Sequence, residues 1–309
     1  MHDLIILGGG PAGLTATMYA IQKRLDVLLV TRDLGGKTNY HLKLPFIERH
    51  MMITGDEIIS RFAREVDYLE FVHVMDNAER VAKIEGGYEV RLSSGATHQT
   101  RAIIVCTGAK AQLLNVPGEM EFMNRGLCYS AISYAQFFID RSAAVVGDGD
   151  LALRAVAELA RHASKVTLIA PTEGHTQSTV GKKLKALPQV TFLVGYHVTE
   201  VKGDNFARSV VVNKNGDRRE LDIDAIFIEM DLTPRSGIVG DLVDLDPTGR
   251  IMINTRNETS APGIFAAGDV TNSVAEQVLI SIGEGAKALL SAYEYLLRTE
   301  ISQVERVTA

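Results

Sequence analysis

The sequence predicts an α/β chain assembled from two βαβ units, and three observations carry that prediction. Short apolar runs alternate with helical stretches along the 309 residues, the pattern of largely parallel strands joined by helices. Two of those runs end in glycine-rich turns: Gly8-Gly9-Gly10-Pro11-Ala12-Gly13 after Leu4-Ile5-Ile6-Leu7, and Gly147-Asp148-Gly149-Asp150-Leu151-Ala152 after Ala143-Ala144-Val145-Val146. Each turn opens a helical stretch that leads to another apolar run, Asp26-Val27-Leu28-Leu29-Val30 in the first case and Val166-Thr167-Leu168-Ile169 in the second.

The first helix extends to about Lys23. Gly8 permits the tight turn, Gly10 lets the backbone approach a pyrophosphate, and Gly13 lets helix pack on strand, so phosphate oxygens meet N–H groups at the positive helix end. Residues 31–54 read as loop, residues 57–69 as a helix, and residues 71–90 as strands, with turns at Gly86-Gly87 and Ser93-Ser94-Gly95. Ala102-Ile103-Ile104-Val105-Cys106 is a strand ending in Thr107-Gly108, and residues 113–119, with Pro117-Gly118, form a candidate linker. In the second unit a helix runs to about His162, and the strand Ala225-Ile226-Phe227-Ile228 precedes Pro234. Residues 241–249 are a second candidate linker, residues 263–269 a strand and turn, and residues 278–297 a long helix. Leu289, Leu290, Tyr293, Leu296 and Leu297 form a stripe on that helix, as core or as dimer contact.

Composition bounds the function. The length suffices for two domains with their own cores, and 46% hydrophobic with 23% charged residues suits a globular chain. A net charge of −6 argues against nucleic acid as a partner. The apolar N-terminus lacks a basic start and breaks into the glycine turn, so it reads as a first strand rather than a signal peptide. The expectation is a cytoplasmic protein without a membrane segment. Cys106 and Cys128 are the only cysteines, which excludes a disulfide framework and a metal-ligand spacing. The scattered histidines read as surface or packing residues, so no metal is expected.

Several segments together resemble the low-molecular-weight thioredoxin reductase family of flavoproteins. They are the opening glycine turn, Gly35-Gly36-Lys37-Thr38, Cys106-Thr107-Gly108-Ala109, the second glycine turn, and the run Thr259-Ser260-Ala261-Pro262-Gly263-Ile264-Phe265-Ala266-Ala267-Gly268-Asp269-Val270. The resemblance covers nearly the whole chain. It implies two Rossmann-like nucleotide-binding domains of three-layer ββα type, the second inserted into the first. Residues 1–113 and 243–309 would form a discontinuous FAD-binding domain and residues 114–242 a former pyridine-nucleotide domain, with the two linkers as hinges. A homodimer is also implied.

The same resemblance assigns FAD contacts to Gly8, Gly10, Pro11, Ala12, Gly13, Thr31, Arg32, Gly35, Gly36, Lys37, Thr38, Ala78, Thr107, Gly108, Gly268, Asp269, Gln277 and Val278. Asp269 is similar to an aspartate that accepts a hydrogen bond from a ribityl hydroxyl, its other reading being a helix N-cap. Gln277 and Val278 match a helix start whose N–H groups stabilise the negative charge that develops at flavin N1 and O2. Lys37 stands where the family usually has glutamine; a cation there raises the flavin potential, or else the lysine is simply solvated. Thr31-Arg32 replaces the usual ribose-binding acid, and the arginine could stack or pair with phosphate.

The departures from the family are as informative. Its disulfide reductases carry Cys-x-x-Cys where this chain has Ser130-Ala131-Ile132-Ser133, and a hydroxyl pair cannot perform dithiol exchange. Cys128 has no partner there, and Cys106 reads as packing. Asp148 puts a carboxylate in the second turn; some 5 Å from a pyrophosphate, at an effective dielectric of about 20, it costs on the order of 3 kcal/mol, or ~100-fold in affinity. Asp150 is an ordinary capping residue at its position. Ala170-Pro171-Thr172-Glu173 replaces the arginine clamp for a 2′-phosphate, and Asp231 replaces a glycine ahead of Pro234. NADPH is therefore expected to bind weakly or not at all, and NADH is less firmly excluded because Glu173 could serve a ribose diol.

The leading expectation is an FAD oxidoreductase or electron-transfer flavoprotein whose isoalloxazine is the sole redox centre. Its partner would be a ferredoxin-like protein, a second flavin or other nucleotide at residues 147–152, or a small acceptor such as a quinone or dioxygen. The alternatives are a ferredoxin–NAD(P) reductase of the thioredoxin-reductase type and a non-catalytic FAD-binding sensor or scaffold. Tyr129, Tyr134, Phe137 and Phe138 could stack near the ring or fill a core. Lys182, Lys183 and Lys185 form a docking patch for an acidic protein or a solvated helix face.

Overall fold

The computed structural model describes residues 1–46, 55–273 and 275–308, with side chains described through residue 300. In chain order the elements are β1 (His2–Leu7), α1 (Pro11–Gln22), β2 (Val27–Thr31), α2 (Asp56–Tyr68), β3 (His73–Met75), β4 (Ala78–Ile84), β5 (Gly87–Leu92), β6 (Thr97–Val105) and β7 (Ala109–Ala111). There follow α3 (Glu119–Phe122), β8 (Leu127–Cys128), α4 (Ala131–Tyr134), β9 (Ser142–Val146), α5 (Asp150–Leu159), β10 (Lys165–Ala170), α6 (Thr179–Lys185) and β11 (Val190–Val194). The chain ends with β12 (His197–Gly203), β13 (Ala207–Lys214), β14 (Asp217–Asp222), β15 (Ala225–Ile228), β16 (Leu232–Pro234), β17 (Ile264–Ala266) and α7 (Val278–Thr308).

The described chain divides into two compact units, residues 1–39, 55–110 and 233–308 in one, and residues 40–46 and 111–232 in the other. In the first unit β3, β2, β1, β6 and β17 run parallel, while β4, β5 and the early part of β6 form an antiparallel meander. β1 shows why three layers form. Successive side chains of a strand point to opposite faces. Leu4 and Ile6 pack with Leu14 and Ala16 of α1 and with Leu289 and Leu296 of α7, whereas Ile5 and Leu7 pack against Val81, Val90 and Leu92 of the meander. A strand covered on both sides reads as a continuous apolar run, and each such fully buried side chain contributes about 1.5–3 kcal/mol.

The second unit repeats the plan. β11, β10, β9, β15 and β8 form a parallel sheet, and β12, β13 and β14 an antiparallel one. Val145 faces Ala152 and Val156 of α5, while Ala144 and Val146 face Val198, Val210 and Val212 of the meander. The fold is thus α/β, with two sheets of parallel strands each layered between helices and a smaller antiparallel sheet.

Three sequence readings shift. Residues 241–249, a linker by composition, belong to the first unit: Val239 and Val243 are buried with Ile5 and Leu7. The chain instead passes between the units within β7 and β16, which pair with each other. Residues 40–46, read as part of a loop in the first domain, join the second unit, where Leu42 and Leu44 are buried with Phe138. The apolar stripe of α7 divides: Leu289 and Leu296 are buried and Leu290 and Leu297 exposed, because adjacent residues lie about 100° apart around a helix. The rest of the loop expected at residues 31–54 extends into residues 47–54, outside the described residues.

Candidate functional site

The first glycine turn joins β1 to α1 by two close approaches. Gly8 has φ +108°, and a Cβ on it would lie 2.4 Å from the Cys106 carbonyl oxygen. A Cβ on Gly13 would lie 1.8 Å from the Gly8 carbonyl oxygen. Gly10 is different, since a Cβ there would meet no atom within 4 Å. Gly10 is also the N-cap of α1, with no side-chain cap, Pro11 at the start and no acidic residue in the first turn. The positive helix end therefore faces open space with no carboxylate in the helix's own first turn, which suits a pyrophosphate. These residues fit a dinucleotide.

The neighbouring segments are held against this turn. The Thr31 hydroxyl accepts the Gly9 N–H at 2.9 Å and donates to the Asp33 carbonyl at 2.6 Å, so it braces β2 to the turn. The Gly35 N–H donates to the Gly9 carbonyl at 2.8 Å, and a Cβ on Gly36 would lie 3.1 Å from the Gly10 Cα. Thr38 donates to the Gly35 carbonyl at 2.8 Å, and Arg32 is exposed. From the far end of the chain, Gly268 packs on α1, its Cβ position 3.3 Å from that of Ala12. Glu284 of α7 accepts the Gly268 N–H at 2.7 Å and the Ser273 hydroxyl at 2.6 Å, fixing that turn. Thr107 donates to the Arg235 carbonyl at 2.7 Å, and Gly108 has φ +68°. Ala78 opens β4 and packs with the core on the meander side.

Lys37 and Asp269 meet directly, ammonium to carboxylate at 2.9 Å. The N-cap reading of Asp269 does not hold, because α7 begins only at Val278. Lys37 also lies 3.9 Å from Glu276, which Arg250 holds at 2.9 Å, and Arg250 in turn donates to the Asp269 carbonyl at 3.0 Å. Sequence reasoning missed Arg250, Glu276 and Glu284. The only signal for Glu276 was its place beside Gln277, and Arg250 bordered the supposed linker.

The second turn is built on the same backbone but is closed by side chains. The Asp148 carboxylate accepts from the Thr172 hydroxyl at 2.6 Å and from its N–H at 3.1 Å, and the Asp148 carbonyl accepts the His175 N–H at 2.7 Å. Asp150 does not cap α5; its carboxylate bonds the His175 ring at 2.7 Å. A Cβ on Gly149 would lie 3.5 Å from an Asp231 carboxylate oxygen. The hydrogen bond and charge of Asp150, with Asp231 and Asp148 nearby, push His175 above its ordinary pKa. Three carboxylates thus converge on the helix start where a nucleotide would bring its phosphates. Glu173 is exposed, at the entry to the one-turn 3-10 helix Gly174–Gln177.

Ser130 and Ser133 lie at the start of α4 with hydroxyl oxygens 2.9 Å apart, hydrogen-bonded to each other. The buried Glu229 accepts the Ala131 N–H between them. Cys128 is buried, its thiol pushed up to about 12 by loss of hydration, and burial likewise raises Cys106. Neither forms a thiolate readily. The aromatic residues here fill the core: Phe138 packs edge-on against Phe46 and Phe227, and the Tyr134 hydroxyl accepts the Leu42 N–H at 2.9 Å. Tyr129 donates to the buried Glu119 at 3.0 Å. Lys182, Lys183 and Lys185 are exposed on α6, whose Gly181 and Leu184 face inward. Among the described residues no helix is long and apolar enough to cross a membrane, and no cluster of His, Cys, Asp and Glu could hold a metal.

Comparison with known proteins places this geometry. The family model described as pyridine nucleotide-disulphide oxidoreductase matches residues 2–285. The chain is 31% identical over 301 residues to the F component of alkyl hydroperoxide reductase from Staphylococcus epidermidis, and 33% identical over 310 residues to the component of that name from Pseudomonas aeruginosa. These matches take in 96% of this chain but only 59% and 58% of the relatives. Thioredoxin reductase from Streptococcus pyogenes MGAS5005 superposes with a TM-score of 0.86 at 29% identity, covering 96% of this chain and 99% of that one. Lactococcus lactis thioredoxin reductase in its FR conformation gives 0.64 at 29% identity, covering 96% and 100%.

Proposed function

The chain belongs to the pyridine nucleotide-disulphide oxidoreductase family, whose members bind FAD, and from that premise we propose a flavoprotein oxidoreductase in which the flavin alone exchanges electrons with its partners. The observation that carries the reading is the Ser130–Ser133 pair, two hydroxyls hydrogen-bonded at 2.9 Å at the spacing a redox dithiol would take. Oxygen at both positions leaves no sulfur to relay electrons, and the only two thiols of the chain are buried with raised pKa. The carboxylates of Asp148, Asp150 and Asp231 support the second half of the reading, that NADPH is not the donor.

FAD when bound supplies one- and two-electron chemistry. The N–H groups at the start of α1 hold its pyrophosphate, Gly10 leaves room for it, Asp269 accepts from a ribityl hydroxyl, and Gln277 and Val278 direct the start of α7 at the ring. Gly35, Gly36 and Thr38 fix the loop beside the phosphate turn, and Thr31 braces that turn. The partners are a ferredoxin-like protein or a small acceptor, and the protein works as a homodimer in the cytoplasm. The outer side of α7, with Leu290 and Leu297 exposed, supports self-association. The alkyl hydroperoxide reductase relatives are longer, and this chain spans about three-fifths of their length.

Anaerobic stopped-flow mixing tests the reading. Flavin absorbance should bleach within the dead time to seconds with reduced ferredoxin and stay unchanged with NADPH over the same interval. Rapid bleaching by NADPH would overturn it.

A further inference from the structure

We propose that Lys37 sets the reduction potential of the bound flavin, through a ring of contacts among four charged residues, Lys37, Glu276, Arg250 and Asp269, in which Arg250 meets the Asp269 main-chain carbonyl rather than its carboxylate. The inference rests on the FAD reading of the first turn. Its members come from three remote stretches of chain: Lys37 contacts Asp269 at 2.9 Å and Glu276 at 3.9 Å, and Arg250 contacts Glu276 at 2.9 Å and the Asp269 carbonyl at 3.0 Å.

The position of the ring follows from its neighbours. A Cβ on Gly36, beside Lys37, would lie 3.1 Å from the Gly10 Cα, and one on Gly268, beside Asp269, would lie 3.3 Å from the Ala12 Cβ. Both residues belong to the start of α1. Glu276 precedes Gln277 and the start of α7. The ammonium therefore lies among the same segments that cradle the cofactor, not on a distant surface.

The roles of the two cations differ. Arg250 makes hydrogen bonds to Asp269, Thr271 and Glu276 and is the anchor of the ring. Lys37 is 47% exposed and makes one short contact, so its charge is the less committed of the two. With two cations and two carboxylates the ring is neutral, and deleting one member leaves a unit charge uncompensated. On reduction the isoalloxazine takes up two electrons and one proton and so gains one negative charge. An uncompensated carboxylate nearby opposes that gain and an uncompensated cation favours it.

A purely structural clasp would behave differently: every broken contact would loosen the two turns and weaken FAD binding, without moving the potential in opposite directions. The experiment is an anaerobic dithionite titration of the FAD-loaded protein against a reference dye, with FAD affinity measured alongside. Lys37→Gln should favour oxidised over reduced FAD by about tenfold, a fall of about 30 mV for a two-electron couple. Glu276→Gln should raise the potential by a similar amount, the double variant should return to the starting value, and Lys37→Arg should retain it. The shifts should shrink at high salt, because the ring is partly exposed. Unchanged potentials, or shifts of one sign in both single variants, would overturn the role of Lys37 while leaving a flavin-bearing protein intact. A wild-type protein that binds no FAD would overturn the flavin reading itself and this inference with it.

Discussion

The two glycine turns share a backbone and differ in what their middle residues present. Each ends a buried parallel strand and opens a helix whose N-cap glycine has no side-chain cap. In the first, Gly10 faces open space. In the second, Asp148 is tied to Thr172, Asp150 is tied to His175, and Asp231 stands beside Gly149. The difference separates two roles that one motif usually combines. The outer positions answer to packing: a Cβ on Gly147 would lie 2.3 Å from the Glu229 carbonyl oxygen, just as one on Gly8 would meet Cys106. Those glycines are required for strand and helix to meet whether or not a ligand arrives. Of the middle positions Gly9 also answers to packing, its Cβ position lying 2.4 Å from the Asp33 carbonyl oxygen, and Gly10 is the one whose open side decides whether an anion is welcome.

Substitutions can break this comparison at its packing end or its binding end. The largest effect belongs to Gly13→Val, which drives a side chain into the Gly8 carbonyl 1.8 Å from the Cβ position. Overpacking against backbone should destabilise the first unit by about 3 kcal/mol, seen as a lower urea midpoint, together with loss of FAD. Gly10→Asp should separate the two roles. Its backbone, φ −73° and ψ −174°, suits aspartate and nothing crowds the Cβ, so the urea midpoint of the FAD-free protein should stay put while FAD affinity, by fluorescence titration, falls about 100-fold from the introduced charge.

Removing a charge from the second turn has a smaller effect. Asp148→Asn keeps an acceptor for Thr172 but removes one of three nearby carboxylates; because Thr172 already holds the Asp148 carboxylate, less than the full ~100-fold cost of a charge at about 5 Å is recovered, and calorimetry should show NADH binding improve by about tenfold. The smallest effect concerns His175. Its pKa is raised by Asp150, so the charged contact is fully present below the unfolded pKa and is lost as pH rises through the folded value. Ring-proton NMR should show His175 titrating above the ordinary histidine range, and Asp150→Asn should lower that midpoint. An unshifted midpoint would mean that the second turn is not closed by this contact.

What was legible in the sequence follows the same division. Leu4-Ile5-Ile6-Leu7 announced a strand, and Gly8 and Gly13 announced its turn, because packing is written locally. The long helix was legible as far as Leu297, but its continuation to Thr308 was not, since the last turns lose the apolar repeat that marked it. The serine pair was read directly from residue types. The charge ring was not legible: Lys37 and Asp269 are 232 residues apart, and Arg250 looked like the edge of a polar linker. Thr31 stands where a ribose-binding acid was expected, and the bonds its hydroxyl makes to Gly9 and Asp33, which brace the turn, were not legible. Asp150 looked like an ordinary helix cap, and only the fold brings His175 to it.

The most direct test of the central claim is the cofactor stoichiometry of the purified protein, measured by FAD released on denaturation against protein concentration. One open turn and one closed turn should give one FAD per chain in the wild type and none in the Gly10→Asp variant assayed at limiting FAD. Two FAD per chain, or FAD retained undiminished by Gly10→Asp, would contradict the assignment of the dinucleotide to the first turn alone.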